Sequence, residues 1–136
     1  MSFADRYWQR MSIGPFSSDG DATNALGRME GAAIVQQVDV YSTVAVATHA
    51  TNYVTMSLVN LGTAGAGTTV IATASTSQTG GAAVAAHVPF PLTITAANAA
   101  VADGATLGFV RDEATTDADP LSACTVVVRY QSVGAP

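Results

Sequence analysis

Beyond residue 31, apolar and polar positions alternate with period two in short stretches separated by glycine-rich turns. The clearest case is YVTMSLV at 53–59, then LGTAGAG at 61–67, then TTVIAT at 68–73, which reads as strand, turn, strand. Within 52–60, Val54, Met56 and Leu58 share one face, and Tyr53, Thr55, Ser57 and Val59 share the other. The first set is the more apolar and is placed inward. Residues 34–46 alternate more loosely and predict a long first strand, while 68–75 predict a third. A weaker strand is expected at 82–86 and another at 90–95, where Pro89 and Pro91 mark an edge because proline cannot donate to a ladder. Residues 96–102 read as a loop or a single turn, Asp103-Gly104 as a turn, and 105–111 and 123–131 as the closing strands. About seven short strands at regular spacing predict an all-β fold, an antiparallel β-sandwich or jelly roll over 32–136. The amphipathic helices an α/β fold would need are not in the pattern.

Residues 1–31 differ in kind and predict an extended, mostly irregular N-terminal arm. They hold four of the nine aromatics, Phe3, Tyr7, Trp8 and Phe16, with a turn-rich break at SSDGD over 17–21. A short helix over 4–11 is expected, since Phe3, Tyr7, Trp8 and Met11 fall at helical spacing and would form one apolar stripe. That stripe needs a cover, either its own domain or a neighbouring subunit.

Composition narrows the function classes. Hydrophobic residues make up 49% and charged residues 11%, against roughly 25% charged in ordinary soluble domains. A surface so poor in charge suggests partners over part of it. The chain has no lysine; its basic residues are Arg6, Arg10, Arg28, Arg111 and Arg129, and its net charge is −5. Counterion release on a phosphate backbone is unfavourable for such a protein, so no nucleic-acid partner is expected. No apolar run approaches the ~20 residues of a membrane span, so no membrane partner is expected either. The N-terminus lacks the basic start and apolar core of a secretory signal, so synthesis in a cytoplasm is the expectation. Cys124, the single cysteine, lies in an apolar run and reads as a small buried hydrophobe.

No side-chain constellation for catalysis emerges. His49 and His87 lie far apart, each without a neighbour spaced to share a metal. The stretch RDEATTDADP at 111–120 gathers Asp112, Glu113, Asp117 and Asp119, oxygen ligands of the kind calcium takes, but not in an EF-hand spacing. It reads first as a solvated loop. GTAGAGTT at 62–69 lacks the lysine of a phosphate loop and leads into a strand, so it reads as a hairpin connection. No Gly-x-Ser-x-Gly elbow and no glycosylation sequon occurs. The chain is expected to be no enzyme and to use no cofactor.

The order and spacing of TNYVTMSLVNLG at 51–62, GAGTTVIAT at 65–73, VADGATLGFV at 101–110 and DPLSACTVVVRY at 119–130 resemble small β-sandwich head-decoration, or cement, proteins of tailed bacteriophages. Such proteins usually carry a Trp where this chain has Phe109, and the arm falls outside the likeness. The resemblance implies a virion structural protein on the outer capsid surface, bound to the major capsid protein after shell assembly, as a homotrimer. Stabilisation would come from binding the assembled shell in preference to its parts. On that reading the arm residues Phe3, Arg6, Tyr7, Trp8, Arg10 and Phe16 are the expected capsid or subunit contacts. A tail or fibre module binding carbohydrate is the alternative; its weakness is that Tyr41, Tyr53, Phe90, Phe109 and Tyr130 are mostly expected inside.

Overall fold

The computed structural model describes residues 6–13, 22–114 and 124–133, the first of these by its backbone and pairing. Among the described residues ten strands form two sheets: β1 (Arg6–Ile13), β2 (Ala22–Arg28), β3 (Ala33–Ser42), β4 (Val54–Gly62), β5 (Thr69–Ser75), β6 (Phe90–Pro91), β7 (Thr93–Ile94), β8 (Ala100–Val101), β9 (Thr106–Glu113) and β10 (Cys124–Ser132). The first sheet runs β1-β10-β3-β6, with β8 also on β3; the second runs β2-β9-β4-β5-β7. Every strand pair is antiparallel. This is an all-β antiparallel sandwich, as the alternation predicts.

Its core lies between the two inner faces. Val38, Val40 and Val128 of the first sheet meet Val54, Met56, Leu58, Ile71, Leu107 and Phe109 of the second, all buried. The inward placement of Val54, Met56 and Leu58 therefore holds. Most of these side chains are small or β-branched, so they lose little rotamer freedom on burial and suit closely packed sheets.

The loose alternation in β3 has a local cause. Arg129 pairs with Gln37 but Tyr130 pairs with Val35, so Gln36 is an extra residue in the ladder. The bulge flips the phase: Ala33 and Val35 face in before it, and Val38, Val40 and Ser42 face in after it. Three more register shifts occur in the second sheet, at Leu26 in β2, Leu61 in β4 and Ile71 in β5.

The 90–95 stretch is an edge, as its prolines require, but it serves both sheets. Phe90 and Pro91 pair with β3, and Thr93 and Ile94 pair with β5. Between them the buried Leu92 donates its N–H to the Val38 carbonyl at 2.9 Å. One side of the sandwich is thus clasped by a strand that changes sheets. The edges left over on the other side are β1 and β2.

Four expectations need correction. Residues 6–13 are a strand, where a helix over 4–11 was expected, and 22–28 are a strand of the second sheet within the stretch read as irregular. So short a helix is marginal by itself, whereas β1 gains an eight-residue ladder on β10. The predicted strand at 82–86 is reduced to isolated bridges, Val84 with Val46 and Ala86 with Ser42. The run at 111–120 does not begin as a solvated loop: Arg111 and Glu113 occupy inward positions of β9 and are buried, with Nη1 and Oε1 3.8 Å apart. Asp117 and Asp119 lie outside the described residues.

Cys124 sits buried at this end of the core, as expected. Burial pushes its thiol up to about 11, the nearby Arg111 guanidinium pulling part of the way back. The folded state holds this proton more tightly than the unfolded chain, so the associated stability is present at neutral pH and is lost as pH climbs through about 11. Denaturant midpoints followed between pH 9.0 and about 11 should fall in the natural chain and fall less in Cys124→Ala; equal slopes would refute the burial of a protonated thiol.

Candidate functional site

The sandwich presents two outer faces of different chemistry. On the first sheet the outward positions of β10 are Thr125, Val127, Arg129 and Gln131, paired with Tyr41, Asp39, Gln37 and Ile34 of β3. The Gln37 amide donates to Asp39 Oδ2 at 2.7 Å, and the Gln36 amide donates to Gln131 Oε1 at 2.7 Å. β1 continues these rows: Arg6, Trp8 and Arg10 stand opposite Gln131, Arg129 and Val127. Tyr7, Met11 and Ile13 stand opposite Tyr130, Val126 and Cys124, whose positions face the core. The expected single aromatic stripe is therefore split, with Tyr7 and Trp8 at successive register positions of opposite phase. Arg6 and Arg10 thus hold register positions in the same rows as Arg129. Phe3 and Phe16 lie outside the described residues.

The part of the second sheet formed by β4, β5 and β7 carries no charge, the exposed Arg28 and Asp112 standing on β2 and β9. From Val40 to Ala102 the sequence has no Asp, Glu, Lys or Arg, and this stretch supplies β4, β5 and β7. The register sets Thr55 beside Ser75, Ser57 beside Thr73, and Thr73 beside Thr93. The Ser57 and Thr73 hydroxyls are 2.9 Å apart, and the Thr73 hydroxyl donates to the Met56 carbonyl at 3.2 Å. These outward hydroxyls are held in fixed orientations.

A groove of about 870 Å³ opens along this face. Its floor is Thr55, Thr73 and Ser75; its far wall is the 77–91 segment, with Val88, Pro89 and Pro91 exposed along it; Tyr53 lines one end. The wall is held although it contains little strand. Val84 and Val46 exchange both backbone hydrogen bonds, at 2.8 and 2.9 Å, and the His87 N–H donates to the Ser42 carbonyl at 2.9 Å. Thr76, fully buried, accepts from the Val54 N–H through its hydroxyl at 3.0 Å and donates its own N–H to the Val54 carbonyl at 3.0 Å. The turn closes at Gly81, where a Cβ would run into the Ser75 and Ser77 carbonyl oxygens. A smaller hollow of about 480 Å³ lies nearby, between Val59, Leu61, Val70 and Val110 and the 65–68 hairpin, with Asp112 at its rim.

The remaining candidates do not converge. His49 and His87 are both exposed. His49 Nδ1 accepts from the backbone N–H groups of Thr51 and Asn52 at 3.1 and 2.8 Å, so it caps a turn. Asp112 faces out and Glu113 faces in, so these two carboxylates cannot share an ion. Among the described residues no group of three or more His, Cys, Asp or Glu could hold a metal, and no helix is long and apolar enough to cross a membrane. The 62–69 segment is the β4–β5 hairpin, as read from its glycines. Comparison with protein-family models, curated proteins and solved structures finds no match to this chain.

Sequence reasoning missed the groove because its walls come from separated segments. The signal available was the long charge-free run. Gly81→Ala should lower unfolding stability by about 1–3 kcal/mol, since backbone must shift to admit the methyl group. Chemical denaturation measures this, and an unchanged midpoint would show that the wall is not fixed as described.

Proposed function

We propose that the chain is a virion structural protein, a cement protein that binds the outer surface of an assembled phage head and stabilises it across capsomer boundaries. The observation that carries this reading is the register of β1 on β10 in the first sheet. An acidic protein without lysine places Arg6, Trp8 and Arg10 in register with Arg129 and Gln131 on one face. Arginine and tryptophan dominate the energetics of protein interfaces, and arginine pairs bidentately with carboxylates. A face of this kind suits an acidic, solvent-exposed surface of the major capsid protein. The net charge of −5 disfavours the DNA-lined interior, which supports an external position.

Cement action needs no chemical step, only added buried area that exists when the shell is assembled. The sandwich offers a stiff body for this, and its open edges β1 and β2 lie on one side, where neighbouring copies can pair their backbones into a homotrimer. The resemblance in the order of strands and turns supports the same assignment.

Two measurements test it. Quantitative mass spectrometry of purified virions should find this chain near stoichiometric with the major capsid protein; a ratio lower by orders of magnitude would move it to a tail or fibre, and absence from the particle would end the proposal. Titrated onto heads stripped of it, the Trp8→Ala chain should bind about 2 kcal/mol more weakly than the natural chain, with its thermal unfolding still cooperative. Equal occupancy would remove Trp8 from the contact.

A further inference from the structure

We propose that the groove on the outer face of the second sheet binds a neutral carbohydrate chain. The face lies opposite the arginine-bearing one, so a protein attached to a shell through the first sheet presents the groove to the medium. At about 870 Å³ it falls within the range of ligand sites.

The lining selects the ligand. The floor is a row of hydroxyls, Thr55, Thr73 and Ser75, at adjacent register positions of β4 and β5. The facing wall is apolar, with Val88 half exposed at 50% beside Pro89 and Pro91, and Tyr53 closes one end. A hexose has matching chemistry: an edge of hydroxyls that both donate and accept, and a C–H face that packs on apolar side chains and rings. The Thr55 and Ser75 hydroxyls can donate or accept toward a sugar hydroxyl, while the Thr73 hydroxyl, whose proton goes to the Met56 carbonyl, is left to accept. Their short side chains lose little entropy on binding.

Other ligand classes fit less well. Among the described residues no charged side chain lines the groove, so they offer no counter-charge to a phosphate, a carboxylate or a cation. An extended peptide adding to β5 would need its free edge, and that edge is taken. Thr93 and Ile94 pair with it, the Thr95 N–H donates to the Ile71 carbonyl at 2.8 Å, and the Ala82 N–H donates to the Ser75 carbonyl at 3.0 Å. A wholly apolar ligand would cut the Thr55 and Ser75 hydroxyls off from water without replacing it.

The test uses the full chain, isotope-labelled, in heteronuclear NMR titrations with short neutral oligomers of glucose, galactose, mannose and N-acetylglucosamine. A sialylated oligosaccharide and a proline-rich peptide serve as comparisons. At least one neutral oligomer should shift amide signals of Thr55, Thr73, Ser75 and Val88, and the affinity should fall tenfold or more in Tyr53→Ala and in Ala83→Trp, which fills the groove from an exposed lining position. Trp8→Ala should leave this affinity unchanged, so loss of capsid attachment and loss of sugar binding are read separately. Absence of groove shifts at millimolar oligomer, equal affinity in both folded groove variants, or preference for the peptide or the charged sugar would each overturn the proposal.

Discussion

The fold rests on keeping two inner faces apolar and in phase while the strands twist. A sheet residue faces the core or the solvent according to the parity of its position, and one extra residue inverts everything that follows. Gln36 is such a residue: without it Val38 and Val40 would point outward and Gln37 and Asp39 would enter the core. The shifts at Leu26, Leu61 and Ile71 act on the second sheet, two of them beside the same stretch of β9. Gly108 lies there, and Leu61 packs so closely above it that a methyl group would clash. Because the core side chains are small, a phase error could not be absorbed by a few large residues elsewhere.

The parts of the fold that could be read from the sequence are those where parity is unbroken and turn chemistry is explicit. β4 ahead of Leu61 and the hairpin after it are the example, since Val54, Met56 and Leu58 alternate cleanly and the glycines mark the reversal, whereas β5 was legible as a strand but not as one bulged at Ile71. β3 was legible as a strand but not as a bulged one. β1 misled because Tyr7 and Met11 are spaced by four, which satisfies both a helical and a strand period, and only the ladder on β10 decides between them. Arg111 and Glu113 looked like part of a charged loop; their burial depends on β9 running on beside β4 to Val54, which composition does not encode. Of the candidate contact residues, Arg6, Trp8 and Arg10 share one parity along β1 and Tyr7 has the other.

Charge divides the molecule in a way that one strand after another does not reveal. The acidic and basic residues lie before Val40 and after Ala102, and the sandwich topology gathers the charge-free stretch into β4, β5 and β7, leaving the exposed Arg28 and Asp112 of the second sheet to β2 and β9. The first sheet joins β1, β3 and β10, so it collects arginines and Asp39. The central hairpin of the second sheet is built from the charge-free stretch and collects hydroxyls. A face without charge is inexpensive to desolvate, and a face with arginines is selective in what it accepts.

The clasp at Leu92 gives the sandwich a mechanical polarity. On that side one continuous segment stitches both sheets together, so they cannot slide or open there without breaking the turn at Leu92. On the other side β1 is held by its ladder on β10. A force along β1 loads all of that ladder in shear, whereas a force across it opens the pairs one after another. A molecule tethered through β1 is therefore strong against sliding over a surface and weak against being lifted from it.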